Sequence, residues 1–400
     1  MNPKILYLPV LIAVFAVIES CSKIEPPTKL ATPPSDSTVK DSTYVDSALY
    51  TLSGTGGVDT GAILMAFNTD SSGVLAILDQ RGYVLHEKKV PLRADDFLKW
   101  NINGVTRYTY LQTSGSYMLN GVATTEEGYD VVLDSNLQEI NRFTLLPYEN
   151  VDTAGDDKLD LHDFILLGDN HYMTIAYRVE HPANIPDSLH PAAGVAVIAC
   201  LIQEVNNGQV VFQWDGTEYP ELYGSSVENN NFGDSVHTLD YMHMNSICID
   251  PRDNNILCSF RNLDEIIKIN RATGAIMWRL GGDRSDFALT PDEIFLRQHY
   301  ARLTDDNQTL IFVDNGLQGQ RAYSRIVQFQ LDENAHTVTG FTGFRIPDKF
   351  IQYAGSVLKQ NGNFFIGGGS SSYALQVDYT TSQVLLRINQ DYSSYRAIKY

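Results

Sequence analysis

The chain has 400 residues, 43% of them hydrophobic, and its 48 acidic residues outweigh 29 Lys and Arg to give a formal net charge of −19. So large an acidic excess opposes binding to nucleic acid and to anionic lipid surfaces. The length exceeds that of a minimal module and is ample for a large core, although barrels and propellers of this size form single units.

In chain order, Lys4 precedes an apolar run from Ile5 to Ile18, then Glu19, Ser20 and Cys21. That run is too short to span a bilayer comfortably and has the layout of an export signal over residues 1–20. Cys21 follows a small residue and stands where a bacterial lipoprotein signal places its lipid-modified cysteine. Glu19 departs from that pattern, so a secretory signal cut nearby is the other reading. Residues 21–50, with Pro26-Pro27 and Pro33-Pro34 among Ser, Thr, Lys and Asp, are too polar to bury a core and read as a flexible tether. The expected product is an exported, lipid-anchored protein facing the periplasm or the cell surface, touching the membrane through the anchor only.

From residue 51 onward, short β-branched and aromatic runs alternate with turn signals, and long helix-period runs are hard to find. "HDFILLGDNHYMTIAY" (162–177), "NSICIDPRDNNILCSF" (245–260), "HYARLTDDNQTLIFVD" (299–314) and "AGSVLKQNGNFFIGGG" (354–369) align as equivalent hairpins. A second hairpin follows in "IIKINRATGAIMWRL" (266–280), "IVQFQLDENAHTVTGF" (326–341) and "ALQVDYTTSQVLLRI" (374–388), giving four strands per unit. Weaker units at about 63–90 and 105–146 bring the number to about six, near the spacing of propeller blades. The expected fold is all-β, a six-bladed β-propeller over 51–400, with a β-sandwich or solenoid as alternatives. Polar residues at the start of each first strand then point into one central site.

His162, His243 and His299 occupy similar positions, near the start of the first strand in three of the aligned hairpins. Three imidazoles at equivalent blade positions converge on one channel mouth, whereas a lone histidine reads as structural. Asn245, two residues after His243, is expected on the same strand face, and Arg261 at the end of the partner strand within reach. His86, His171, His181, His190, His237 and His336 lie in turns or lack equivalents and read as surface. Gly281 and Gly282 after Trp278 read as a tight bend, with an anion-binding nest as the lesser possibility. Nine of the seventeen arginines fall between Arg252 and Arg325, where an anionic ligand would find partners. Beyond Cys21 the cysteines are Cys200, Cys248 and Cys258, an odd number without CxxC spacing. Cys248 and Cys258 are expected to face each other across one hairpin, as two buried thiols rather than a disulfide.

"DLHDF" (160–164), "DYMHMNS" (240–246), "SFRNLDEIIKINRATGAIMWRLGGDRSDF" (259–287), "RQHYAR" (297–302) and "VDNG" (313–316) resemble the arylsulfotransferase family. The resemblance covers roughly 60–390 and is densest over 240–316. It implies a six-bladed propeller that moves a sulfuryl group from a phenolic sulfate ester to a phenol through a transiently sulfated histidine. No nucleotide sulfate donor, cofactor or metal is implied, and the partners are the small-molecule donor and acceptor. By motif, His299 matches the nucleophile, His243 and Asn245 the family's histidine and asparagine, Arg261 the sulfate-binding arginine, and His162 the remaining active-site histidine. Tyr300 departs from the acidic residue common after the nucleophile. A large extra N-terminal domain found in some members is missing, which bears on acceptor choice and dimerisation.

The residue types suit such chemistry on their own. Neutral imidazole is a competent nucleophile at physiological pH and forms a labile N–S bond. Arginine holds two oxygens of a singly charged group with a planar fork, His243 and Asn245 can steady oxygen charge, and His162 can shuttle a proton. Two other readings compete: a metal-dependent hydrolase built on the three histidines, which lacks an HxH or HExxH pair, and a tethered propeller that only binds a ligand or protein.

Overall fold

Turns in this chain are built by aspartate. Asp79, Asp134, Asp306 and Asp378 each accept the backbone N–H of the residue two positions on, at 2.7–2.8 Å, and so end one strand and aim the next. The computed structural model describes residues 49–400 apart from 70–71, 121, 150–152, 154–156 and 392–393. The expected signal, Cys21 and the tether up to residue 48 lie outside the described residues.

Six small sheets, antiparallel but for a short parallel pairing of Thr238–Leu239 in the third, form the six blades of a β-propeller. The innermost strands of the second to sixth blades are Ala94–Ile102, Phe164–Gly168, Met244–Ile249, Gln298–Leu303 and Ser356–Gln360. The hairpins expected at 162–177, 245–260, 299–314 and 354–369 are the two inner strands of the third to sixth blades. The first blade takes its inner strand, Ala397–Lys399, from the far end of the chain, pairing Met65 with Ala397 and Ile63 with Lys399. The N-terminal strand Tyr50–Ser53 in turn pairs with Val384–Gln390 as a fifth strand of the sixth blade. The ring is thus tied at both ends of the described chain, a closure with no local sequence signature.

Packing lies between blades. In Ile63–Asn68, Ile63, Met65 and Phe67 pack toward Phe365, Leu386 and Ile388 of the sixth blade, while Leu64 and Ala66 meet Phe97, Tyr110 and Val131 of the second. Both faces are buried, so this strand is a continuous apolar run without alternation.

The register corrects the cysteine expectation. Cys248 lies opposite Leu257 and Cys258 opposite Ile247, so the two thiols alternate onto opposite faces of the hairpin, and both are free. Gly281 and Gly282, at φ of +91° and +59°, have no room for a Cβ: at Gly281 it would lie 2.4 Å from Phe295, at Gly282 2.7 Å from the Leu263 carbonyl. They form a bend pressed against protein.

Candidate active site

Three inner strands break register where they enter the channel, between Asp95 and Leu98, Met244 and Ser246, and His299 and Arg302. Left-handed backbone accompanies each break, at Asp96 (φ +51°), His243 (φ +51°) and Tyr300 (φ +58°). Bulges of this kind re-aim side chains next to functional sites, and a left-handed Tyr is an uncommon, strained conformation.

His162, His243 and His299 come together at this mouth. The His162 ring centroid is 4.9 Å from that of His243 and 5.8 Å from that of His299. Tyr177 and Tyr395 complete the wall, 5.8 and 5.7 Å from His162, and Tyr395 is 6.0 Å from His299. Their phenols face inward to carbonyls: Tyr177 donates to Met244 O at 2.5 Å and Tyr395 to His162 O at 3.3 Å.

The three imidazoles differ in what stands behind them. Asp160 Oδ1 lies 2.5 Å from His162 Nδ1 and also accepts the His162 backbone N–H at 2.9 Å. Asp240 Oδ2 lies 2.6 Å from His243 Nδ1. Burial pushes the Asp240 carboxyl up, but His243, by charge and hydrogen bond, and then Arg261 and His162 bring it below its ordinary value. A carboxylate on Nδ1 fixes the tautomer and turns Nε2 toward the shared space.

His299 has no such partner. It is 2% exposed, and its Nδ1 is sealed from solvent without a hydrogen bond. Burial, then the charges of His162, Arg396, His243 and Arg261, hold its imidazole well below the ordinary histidine range, so the ring is neutral.

Arg261 opens a single helical turn, Arg261–Leu263, immediately after the second strand of the fourth blade, with its backbone N–H on His243 O at 2.9 Å. Its Nη1 donates to Glu228 Oε2 at 3.1 Å and to Asn262 Oδ1. The Nε and Nη2 edge makes no hydrogen bond among the described residues, which leaves one side of the fork for a ligand. Asn245 also ties two blades together. Fully buried, it donates from Nδ2 to Gln298 O at 2.7 Å, bridging the fourth blade to the peptide that leads into His299. Its Oδ1 is buried without a hydrogen-bond partner among the described residues.

Beneath the mouth lies a buried ion group. Arg396 Nη1 donates to Asp96 at 2.6 Å and to Asp163 at 3.0 Å, and its Nη2 reaches the carbonyls of His162 and Asn245. Asp163 also takes Arg302 on both oxygens, at 2.9 and 2.7 Å, and the Ile247 N–H at 2.8 Å. Tyr300 lies flat under these cations, 4.1 Å from the Arg302 guanidinium and 4.6 Å from that of Arg396.

The sequence reading missed Asp160, Asp240, Glu228, Arg396, Tyr177 and Tyr395. The first two stand inside "DLHDF" and "DYMHMNS", at spacings that let a carboxylate fold back onto the following histidine. Nor is His171 simply surface: half-buried, it bonds Glu204 at 2.6 Å, and Glu204 in turn accepts from Arg271 of the fourth blade. Among the described residues, the ligand atoms grouped as a metal site would need are found at Asp250, Asp253 and Glu333. There Lys268 sits 2.7 Å from each of the three, already occupying a cation's place.

Solved structures similar to this chain include a protein of unknown function from Bacteroides caccae, at 12% identity and TM-score 0.44 over 85% of this chain and 99% of that one. Apo AztD from Citrobacter koseri aligns at 9% identity and TM-score 0.39 over 85% and 98%. TolB from Acinetobacter baumannii aligns at 10% and 0.40 over 84% and 65%. No curated protein matches the chain. The family model described as Arylsulfotransferase (ASST) matches residues 39–400, nearly the whole chain, and the protein belongs to that family.

Proposed function

We propose that the protein transfers a sulfuryl group from a phenolic sulfate ester to a phenolic acceptor through a sulfated His299. The observation that carries this reading is the asymmetry of the three imidazoles: His162 and His243 each have a carboxylate on Nδ1, and only His299, held well below the ordinary histidine range, has none. With Nδ1 sealed, Nε2 is the nitrogen left to face reactants.

In the first step the Nε2 lone pair attacks sulfur while the bond from sulfur to the phenolic oxygen breaks. The departing phenolate takes a proton from His162, whose positive form Asp160 stabilises. The free edge of Arg261 holds two sulfuryl oxygens, and His243, in its doubly protonated form against Asp240, donates to one of them. In the second step the acceptor phenol gives its proton to His162, its oxygen attacks sulfur, and the N–S bond breaks. Tyr177 and Tyr395 supply aromatic wall for a phenyl ring. Asn245 acts by holding the peptide before His299. Export and a lipid anchor at Cys21 belong to the same reading and rest on the first 50 residues of the sequence.

Donor alone should release close to one equivalent of phenol in a burst and then wait for acceptor. His299→Asn should abolish the burst, and alkaline quenching with peptide mass analysis should place the sulfo group on the "QHYAR" peptide. Intersecting double-reciprocal plots with no modified peptide would remove His299 as nucleophile.

A further inference from the structure

Arg261 is not the site's only guanidinium. Oε2 of Glu228 accepts from its Nη1 at 3.1 Å, and Oε1 of the same carboxylate accepts from Arg297 Nε, two residues before His299. The Arg297 backbone N–H in turn lies on Asp264 Oδ1 at 2.6 Å. The loop carrying Glu228 is pinned: Ser226 donates its hydroxyl to Glu228 O at 2.7 Å, Asn230 donates to Ser226 O at 2.6 Å, and Val227 N–H meets Asn262 O at 2.9 Å. Two guanidinium groups and two carboxylates therefore sum to zero beside the proposed anion pocket. Orientation of Arg261 does not by itself require Glu228, since Asn262 Oδ1 already accepts from the same Nη1.

We propose that Glu228 sets the charge of this pocket, admitting a singly charged sulfate ester and turning away a doubly charged phosphate ester of the same shape. The inference rests on Arg261 being the sulfuryl-binding arginine. A sulfuryl and a phosphoryl ester present the same tetrahedron of oxygens, so hydrogen-bond geometry alone cannot separate them. They differ in charge, the phosphate ester carrying about −1.5 to −2 near neutral pH. A fixed carboxylate on the far side of Arg261 repels the second charge at short range, which is discrimination by a repulsive element. Asp160 and Asp240 stand behind His162 and His243, on their Nδ1 atoms at 2.5 and 2.6 Å, and not on the Arg261 guanidinium.

Calorimetry on the whole protein at pH 8 with benzenesulfonate and phenylphosphonate tests this, because neither ligand can be transferred and they differ by one charge. The wild type should prefer the sulfonate. Glu228→Gln should narrow that preference about tenfold, a change of about 1.4 kcal/mol, and Arg297→Gln should widen it. If Glu228→Gln weakens both ligands by the same factor, Glu228 only orients Arg261 and the proposal is wrong. Should that variant not fold by circular dichroism, Arg297→Gln decides, and an unchanged preference there rejects the idea. Sulfonate binding that survives Arg261→Gln would instead overturn the assigned anion site, and this inference with it.

Discussion

Asp160→Asn isolates the charge behind His162 from its geometry. Asparagine Oδ1 can still accept the His162 backbone N–H and the ring Nδ1–H, now at 2.9 and 2.5 Å from the carboxylate oxygen, so the turn should survive. What disappears is the negative charge facing the imidazolium. Both side chains are almost fully buried, at 6% and 2% exposure, so solvent screens the pair little. At about 4 Å and an effective dielectric of about 20, the attraction is about 4 kcal/mol, and a charge-assisted hydrogen bond measured by mutation gives about 1.5–3 kcal/mol. Positive His162 should therefore lose about 2–4 kcal/mol of stabilisation. With the proton half transferred in the transition state, about 1–2 kcal/mol of that reaches the barrier, a loss of about 5- to 30-fold in rate. The loss should fall on donors with weakly acidic phenols and shrink for nitrophenyl donors, whose leaving groups need no proton. The assay is kcat/KM across a series of aryl sulfates, plotted against the acidity of the phenol. A steeper line for the variant supports His162 as the acid. Parallel lines, with every donor slowed alike, would refute it, because a structural defect does not sense the leaving group.

Arg396→Met should cost about 3–5 kcal/mol of stability by urea unfolding, the penalty for breaking a buried ion pair from one side. The deficit should be larger at pH 8 than at pH 6. Burial already holds Asp96 up at about 7 despite Arg396, and without that cation its carboxyl rises further. A folded state that binds a proton the unfolded state has released loses stability as pH rises through the window from about 4 to beyond 7. A deficit independent of pH would contradict this account. Cys21→Ala should release the protein from membranes; sedimentation with the membrane fraction after a high-salt wash would remove the anchor.

The sequence made the third to sixth blades legible because their hairpins repeat apolar strands around Asp- and Asn-held turns. The first blade was harder to read. Its strand Ile63–Asn68 is buried on both faces and shows no alternation, and its innermost strand arrives from residues 397–399. His162, His243 and His299 were visible because equivalent blade positions must converge in space. Their carboxylates were not, since aspartate is the ordinary turn residue of this chain, and Asp160 accepts a backbone N–H two residues on just as Asp79 or Asp306 does. The ring folding back onto that turn gives Asp160 a further use. The bond from Asn245 Nδ2 to the Gln298 carbonyl of the next blade likewise has no local sequence signal.

Part of the site is supplied by residues beside the strand that closes the ring. Arg396 immediately precedes the closing strand Ala397–Lys399, and its guanidinium reaches the carbonyls of His162, just before the third blade's inner strand, and of Asn245 in the fourth. Its neighbour Tyr395 touches both His162 and His299. Opening the seam between the first and sixth blades would withdraw a cation from Asp96 and Asp163 and an aromatic wall from two imidazoles. With the His162 ring 4.9 Å from His243 and 5.8 Å from His299, the three cannot all carry charge without repulsion. The carboxylates behind His162 and His243 are local to their turns, whereas the neutrality of His299 depends on burial, to which Tyr395 beside the closing strand contributes. A propeller frayed at its C-terminal strand would therefore expose His299, let it take up a proton at mildly acidic pH, and lose the nucleophile before it lost its other blades.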